Sequence, residues 1–226
     1  MTQTDPSMDA KALVARLRRL DCCAVSDSFD RLGLTGVVTG VPQQAGTGRI
    51  AGRVVTFRVG LGEPAPGPTR HLGTTAVEAA GPDDVIVVEQ RSGLDAGCWG
   101  GLLTLGAKMR GVAGVIADGP VRDIDEARSY GFPVFTRQLT ARTARGRVVE
   151  LGVNEPIAFH GVRVNAGDFV IADGSAVVVI AAADIVRVLD VAEEIVAKEA
   201  AMARALMAGA SITAVMGGAY EHMLKV

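Results

Sequence analysis

The chain has 226 residues, 49% of them apolar and only 4% aromatic, and its net charge is −2. That near-neutral balance argues against general nucleic-acid binding, which needs a basic footprint, and no apolar run approaches the ~20 residues that span a bilayer. Three cysteines, with Cys22 and Cys23 adjacent, make no disulfide framework, and the opening MTQTDPSMDA lacks the basic-then-apolar layout of a secretion signal. A cytoplasmic protein with reduced thiols is expected.

The length suits a single domain over 1–226, with 1–8 disordered and 184–226 forming a helical extension and tail at a subunit interface. With so few aromatics, the core must be Val, Ala, Leu and Ile. The spacing of Leu13, Leu17 and Leu20 predicts a first helix over 9–20. A second follows, with Ser26 or Asp27 as its N-cap and Gly33 as its stop. Residues 33–48 read as loop, and 52–59 (GRVVTFRV) as a strand with one wet face. The Pro/Gly-rich stretch 61–68 is a plain surface loop or a lid over a site. A helix over 70–80 and a buried strand over 85–89 come next.

Residues 97–137 then read as loop, helix, buried strand, polar loop, helix and short strand. The basic run Arg142, Arg145, Arg147 reads as a solvated loop. Short strands over 148–151, 157–159, 162–164, 169–172 and 176–180, punctuated by turn residues, make the second half β-rich. The fold class is therefore α/β, a mixed β/β/α arrangement rather than a repeating βαβ unit. A long helix over 184–208 closes the chain. Its apolar stripe runs through Ile185, Leu189, Ala192, Val196, Ala203 and Met207, with Glu199 inside it. Glu194 falls opposite, placed to pair with Lys198.

Chemistry concentrates in 97–137. The Gly97-Cys98-Trp99-Gly100-Gly101 loop delivers free amides at a helix start, where carboxylates and phosphates bind. Its glycines also suit nothing more than a tight turn. The loop Asp118-Gly119-Pro120-Val121-Arg122-Asp123 follows a strand end, the usual ligand edge of a parallel sheet. Asp123 there is a hard ligand for Mg2+ or Mn2+, and Arg122 matches a substrate carboxylate bidentately. The competing reading makes Asp123 and Glu126 a helix capping box. Glu199 needs either an arginine across an interface or a part in a site there. Cys98 reads as structural rather than nucleophilic, His71 as a cap or surface residue at a pocket, and Trp99 as a pocket wall or a subunit anchor.

Taken in order, Trp99-Gly100-Gly101, the Gly114–Glu126 segment GVIADGPVRDIDE, Gly131-Phe132-Pro133-Val134-Phe135, the hairpin GDFVIADGSAVVVI and Lys198-Glu199 resemble the RraA-like family. That family holds 4-hydroxy-4-methyl-2-oxoglutarate/4-carboxy-4-hydroxy-2-oxoadipate aldolases and regulators of ribonuclease E activity. The G-x20-R-D-x2-E pattern is carried by Gly101, Arg122, Asp123 and Glu126. The resemblance implies a swivelling β/β/α fold assembled as a homotrimer or dimer of trimers, with a Mg2+ or Mn2+ site between subunits. It implies Asp123 as metal ligand, Arg122 binding the oxo-acid and stabilising its enolate, and the Gly100–Leu103 segment holding substrate, with the amides of Leu102 and Leu103 on its carboxylate. It also implies Glu199 of the partner subunit reaching the metal through water. The aldolases carry an acid where this chain has Gly101, and a lysine near Val149. The implied activity is a carbon–carbon lyase acting on a small 2-oxo acid, as aldolase or oxaloacetate decarboxylase. The alternative is a non-catalytic ring-shaped regulator of the ribonuclease-regulator type.

Overall fold

The computed structural model describes residues 6–63 and 70–217. Residues 1–5 of the expected disordered start, most of the 61–68 excursion and the end of the tail lie outside them. Elements run in the order α1 (Pro6–Leu17), α2 (Cys22–Leu32), β1 (Val37–Val38), β2 (Gln43–Ala45), β3 (Ile50–Gly60), α3 (Thr74–Ala79), β4 (Asp84–Gln90), α4 (Gly101–Met109) and β5 (Gly114–Ala117). Then come α5 (Ile124–Tyr130), β6 (Val134–Thr136), β7 (Val149–Val153), β8 (Ile157–Phe159), β9 (Val162–Val164), β10 (Phe169–Ala172), β11 (Val177–Ile180), α6 (Ile185–Met207) and α7 (Ile212–Val215). No helix among them is long and apolar enough to cross a membrane.

One sheet, ordered β1-β11-β10-β3-β4-β5-β6-β2, organises the molecule. Strands β3 to β6 are parallel; β10, β11, β1 and β2 join antiparallel. Strand β3 is the hinge of the design. One edge pairs with β4 from Arg53 to Val59, while the other meets β10 at its start and β7 at its end. Having neighbours on both edges and cover on both faces, it is buried along nearly its whole length. The expected wet face of 52–59 is absent for that reason. The β-rich second half does not form a sheet of its own. Its strands extend the central sheet, except β8 and β9, which pair only with each other.

Alternation divides the core. Ile86, Val88, Val115 and Ala117 face the helices α3, α4 and α5, while Val85, Val87 and Ile116 point the other way, toward Ile157, Phe159 and Val164 of the β8–β9 hairpin. Across β10 and β11, Phe169, Ile171, Val178 and Ile180 pack on α1, α2 and α6. The fold is thus the mixed β/β/α arrangement with a long C-terminal helix.

Local chemistry moves several boundaries. The α2 helix begins at Cys22, because Asp21 rather than Ser26 or Asp27 is the N-cap and accepts from Ala24 N at 2.8 Å; Gly33 ends it in the left-handed conformation, as expected. Residues 33–48 contain β1 and β2, two short edge strands that lack a periodic signal. On α6 the buried stripe is Ile185, Val188, Leu189, Ala192 and Ile195, and it stops there. Glu199 is exposed beyond it, and Glu194 pairs with Arg31 of α2 at 3.3 Å rather than with Lys198.

Candidate active site

The carboxyl ends of β4 and β5 open onto a pocket of about 620 Å³, floored by Gly97–Leu103, Arg122 and Asp123 and rimmed by His71, Leu72, Thr74 and Thr143–Arg145. The two segments are tied by backbone. Cys98 N donates to Pro120 O at 2.8 Å, Arg122 N to Trp99 O at 3.0 Å, and Trp99 and Val121 form a parallel bridge. The Trp99 indole is buried and donates to Thr104 Oγ1 at 2.9 Å, while that hydroxyl bonds Gly100 O. Trp99 therefore anchors the first turn of α4 from inside, which excludes the role of surface anchor for a subunit contact.

The N-cap residue of α4 is Gly100, which has no side chain to cap the helix. The amide of Gly101 donates to Asp123 Oδ2 at 3.0 Å, and the Leu102 and Leu103 amides have no acceptor among the described residues. Leu103 is buried and Leu102 is 86% exposed at the pocket mouth.

Asp123 stands at the N-cap position of α5 yet adopts φ 57, ψ 37 and makes no side-chain cap bond. This overturns the capping-box reading. The left-handed backbone turns the carboxylate away from the helix and toward Gly101 and Arg122, whose Nε lies 3.2 Å from both carboxylate oxygens. A non-glycine residue held at positive φ marks a local constraint of order 1–3 kcal/mol. Glu126 is drawn in from the first turn of α5. A Cβ added to Gly101 would overlap Glu126 Oε2 and lie 2.8 Å from Glu126 Cδ and 3.3 Å from Asp123 Cβ. The space left by the missing acid at 101 is thus filled by a carboxylate from the next helix. In the sequence Glu126 stands in the G-x20-R-D-x2-E pattern with a capping role; its place beside Gly101 follows only from the backbone at Asp123.

Other candidates separate from this group. Cys98 is fully buried, and burial pushes its thiol up to about 12, so it is not a nucleophile. His71 lines the pocket and its Nδ1 contacts Leu72 O at 2.9 Å. Val149 does not line the pocket; Arg145 is the basic residue that reaches it after α5. Glu199 shares no pocket with Asp123 in one protomer. Though Glu199 is exposed, partial desolvation, then the carboxylates of Asp27 and Asp21, raise it above the usual range for a glutamate.

The RraA-like family model, described as Aldolase/RraA, matches residues 22–179. A protein of Halalkalibacterium halodurans named "Putative 4-hydroxy-4-methyl-2-oxoglutarate aldolase" is 27% identical over 194 residues, 85% of this chain and 88% of that one. "Protein DlpA" of Legionella pneumophila is 27% identical over 74% of this chain, but the match spans only 27% of that longer protein. Among solved structures, an uncharacterized protein from Pseudomonas syringae superposes with a TM-score of 0.80 at 25% identity, covering 92% of this chain and 98% of that one. Streptomyces coelicolor RraAS2, described as an unusual member of the RNase ES inhibitor RraA protein family, has a TM-score of 0.72 at 24% identity, covering 85% and 94%, which bears on the fold. The chain belongs to the RraA-like Aldolase/RraA family.

Proposed function

We propose that this protein is a divalent-metal-dependent lyase that cleaves or decarboxylates a small 2-oxo acid. One observation carries the reading: Arg122 and Asp123 line a single pocket at the start of α4, and the Glu126 carboxylate lies against Gly101 beside them. The donor set suits Mg2+ or Mn2+, because two hard carboxylates meet at Gly101 and the Asp123 carboxylate, which makes no cap bond to α5, faces Gly101 and Arg122 instead. No cluster of three potential ligands forms among the described residues. The remaining positions would fall to water, substrate and, in a homotrimer or dimer of trimers, Glu199 of the partner subunit. When bound, the metal supplies Lewis-acid stabilisation of the charge that develops as the carbon–carbon bond breaks.

The chain's own groups do the rest. Arg122 spends Nε on Asp123 and keeps both Nη groups free of acceptors among the described residues, so it can hold the oxo-acid and its enolate oxygen bidentately. The Leu102 and Leu103 amides bind the substrate carboxylate at the positive end of α4. Glu126 Oε2 handles the proton. In retro-aldol cleavage it takes the hydroxyl proton as the carbon–carbon bond breaks and passes it to the enolate carbon that keeps the electron pair; in decarboxylation the bond to the carboxylate breaks, CO2 departs, the electron pair stays on carbon, and Glu126 in its acid form gives that carbon a proton.

The test is pyruvate release from oxaloacetate and from 4-hydroxy-4-methyl-2-oxoglutarate, with Mg2+, with Mn2+ and with EDTA. EDTA-sensitive turnover that disappears in Arg122→Ala and Asp123→Ala supports the lyase. Turnover unchanged in both variants overturns it, and no turnover with either metal favours a non-catalytic regulator.

A further inference from the structure

On the opposite face of the sheet from this pocket, the ends of β4, β5 and β6 present a second cluster. The turn between β8 and β9 puts His160 in the left-handed region, φ 46, with its ring edge-on to Phe159 at 4.8 Å between centroids. His160 Nδ1 lies 2.8 Å from Arg137 Nη1, and Nε2 lies 3.0 Å from Oδ1 of Asp118, a side chain only 8% exposed. Arg91 Nε approaches the other Asp118 oxygen at 3.8 Å. Glu89 accepts from Ala158 N in the same hairpin at 2.6 Å. Arg137 also donates to the carbonyls of Gly40 and Thr39. Asp118, Arg91 and Arg137 are thus the charged groups facing His160, and Glu89 acts on Asp118 behind them.

A guanidinium only donates, so Nδ1 must accept and the ring must carry its single proton on Nε2. A second proton would set a donor against a donor and a cation against Arg137. Only a neutral ring meets the Arg137 contact; its Nε2 faces Asp118 at 3.0 Å without hydrogen-bond alignment. It also grips both segments that frame the Arg122–Asp123 loop. Asp118 opens that loop. Arg137 lies between Thr136, whose hydroxyl donates to Gly119 O at 3.0 Å, and Gln138, whose carbonyl accepts from Val121 N at 3.0 Å.

We propose that His160 is a positioning residue for the Arg122–Asp123 loop and works only as the neutral imidazole, so that acidification frees Arg137 and loosens the loop from beneath. Burial makes the second proton harder to add; Asp118 opposes this, and Arg137 and Arg91 reinforce it, so His160 titrates below the ordinary histidine range. The loop's part in catalysis rests on the lyase reading; its loosening does not.

Trp99 is the chain's one tryptophan and is bonded to this loop through Val121 and Arg122, so its emission reports the loop without substrate. As pH falls from about 8 through the whole His160 ring-proton shift followed by NMR, wild type should show one emission transition with the same midpoint. His160→Asn, which tolerates the left-handed backbone and cannot titrate there, should abolish the transition. Asp118→Asn removes the carboxylate that favours the imidazolium and should move the midpoint to lower pH. A transition unchanged in His160→Asn, or His160 titrating in wild type while Trp99 emission stays flat, overturns the proposal. A negative pyruvate assay alongside a positive transition would fault the lyase reading alone.

Discussion

Glu126 occupies the space that a side chain at Gly101 would need: a Cβ there would overlap Oε2 and lie 2.8 Å from Cδ. The obstacle is the far end of a flexible side chain, so Gly101→Ala should fold and change stability by less than about 1 kcal/mol. It should nevertheless push the carboxylate away from Asp123 and lower turnover, on the order of 10²-fold if proton transfer limits the rate. The decisive variant exchanges the two positions. Gly101→Asp with Glu126→Ala should recover most of the turnover that Glu126→Ala alone loses. A double variant no better than Glu126→Ala would show that the acid does not act from this place.

Asp123 and Asn share a tolerance for the left-handed backbone. Asp123→Asn should therefore keep the loop and the melting temperature within a few degrees, while pyruvate formation falls by about 10²-fold or more. Asp123→Ala should lose turnover too, and in addition about 1–2 kcal/mol of stability, because alanine pays more for φ 57. Equal stability of the two variants in denaturant titration would remove the strain argument.

The sheet's parallel centre was legible because Val-rich runs bounded by Gly, Pro and Asp leave little else to be, and β8, β9 and β10 begin and end where the pattern places them. Strands β1 and β2 were not. They are two and three residues long, made by pairing with β11 and β6, contacts that no local pattern encodes. Arg122 and Asp123 could be found from the polar loop after β5. The role of Glu126 could not, because the same Asp-x-x-Glu spacing describes a capping box, and only the left-handed backbone at Asp123 breaks that box. Glu199 differs again. The helical wheel puts it in line with Ile185, but within one protomer the buried residues of α6 end at Ile195.

Gly46 has φ +71 and backs onto β6, where an added Cβ would meet Pro133 Cα and N, each at 2.7 Å. Neither atom can give way without moving the backbone. Gly46→Ala should cost about 2 kcal/mol or more, read as a lowered denaturant midpoint at an unchanged slope. Gly131, also left-handed at φ +62 but with open space around it, should cost only about 1 kcal/mol on the same substitution. Equal losses would show that positive φ alone, and not the close approach to Pro133, decides these sites.

Asp173 links the β10–β11 turn to the start of α2, accepting from Cys22 N at 2.9 Å and Ser175 N at 2.8 Å. Burial works against its charge, but those donors outweigh it and hold the carboxyl below its usual range. A group whose pKa falls on folding adds stability above its unfolded value, near 4, and loses it as pH drops through the folded value. Asp173→Ala should cost about 1–2 kcal/mol at neutral pH, and the gap from wild type should shrink as pH falls below about 4. Chemical denaturation of both proteins at a series of pH values measures this directly. A gap that stays constant down to the acid end would mean that Asp173 contributes through packing rather than through its charge.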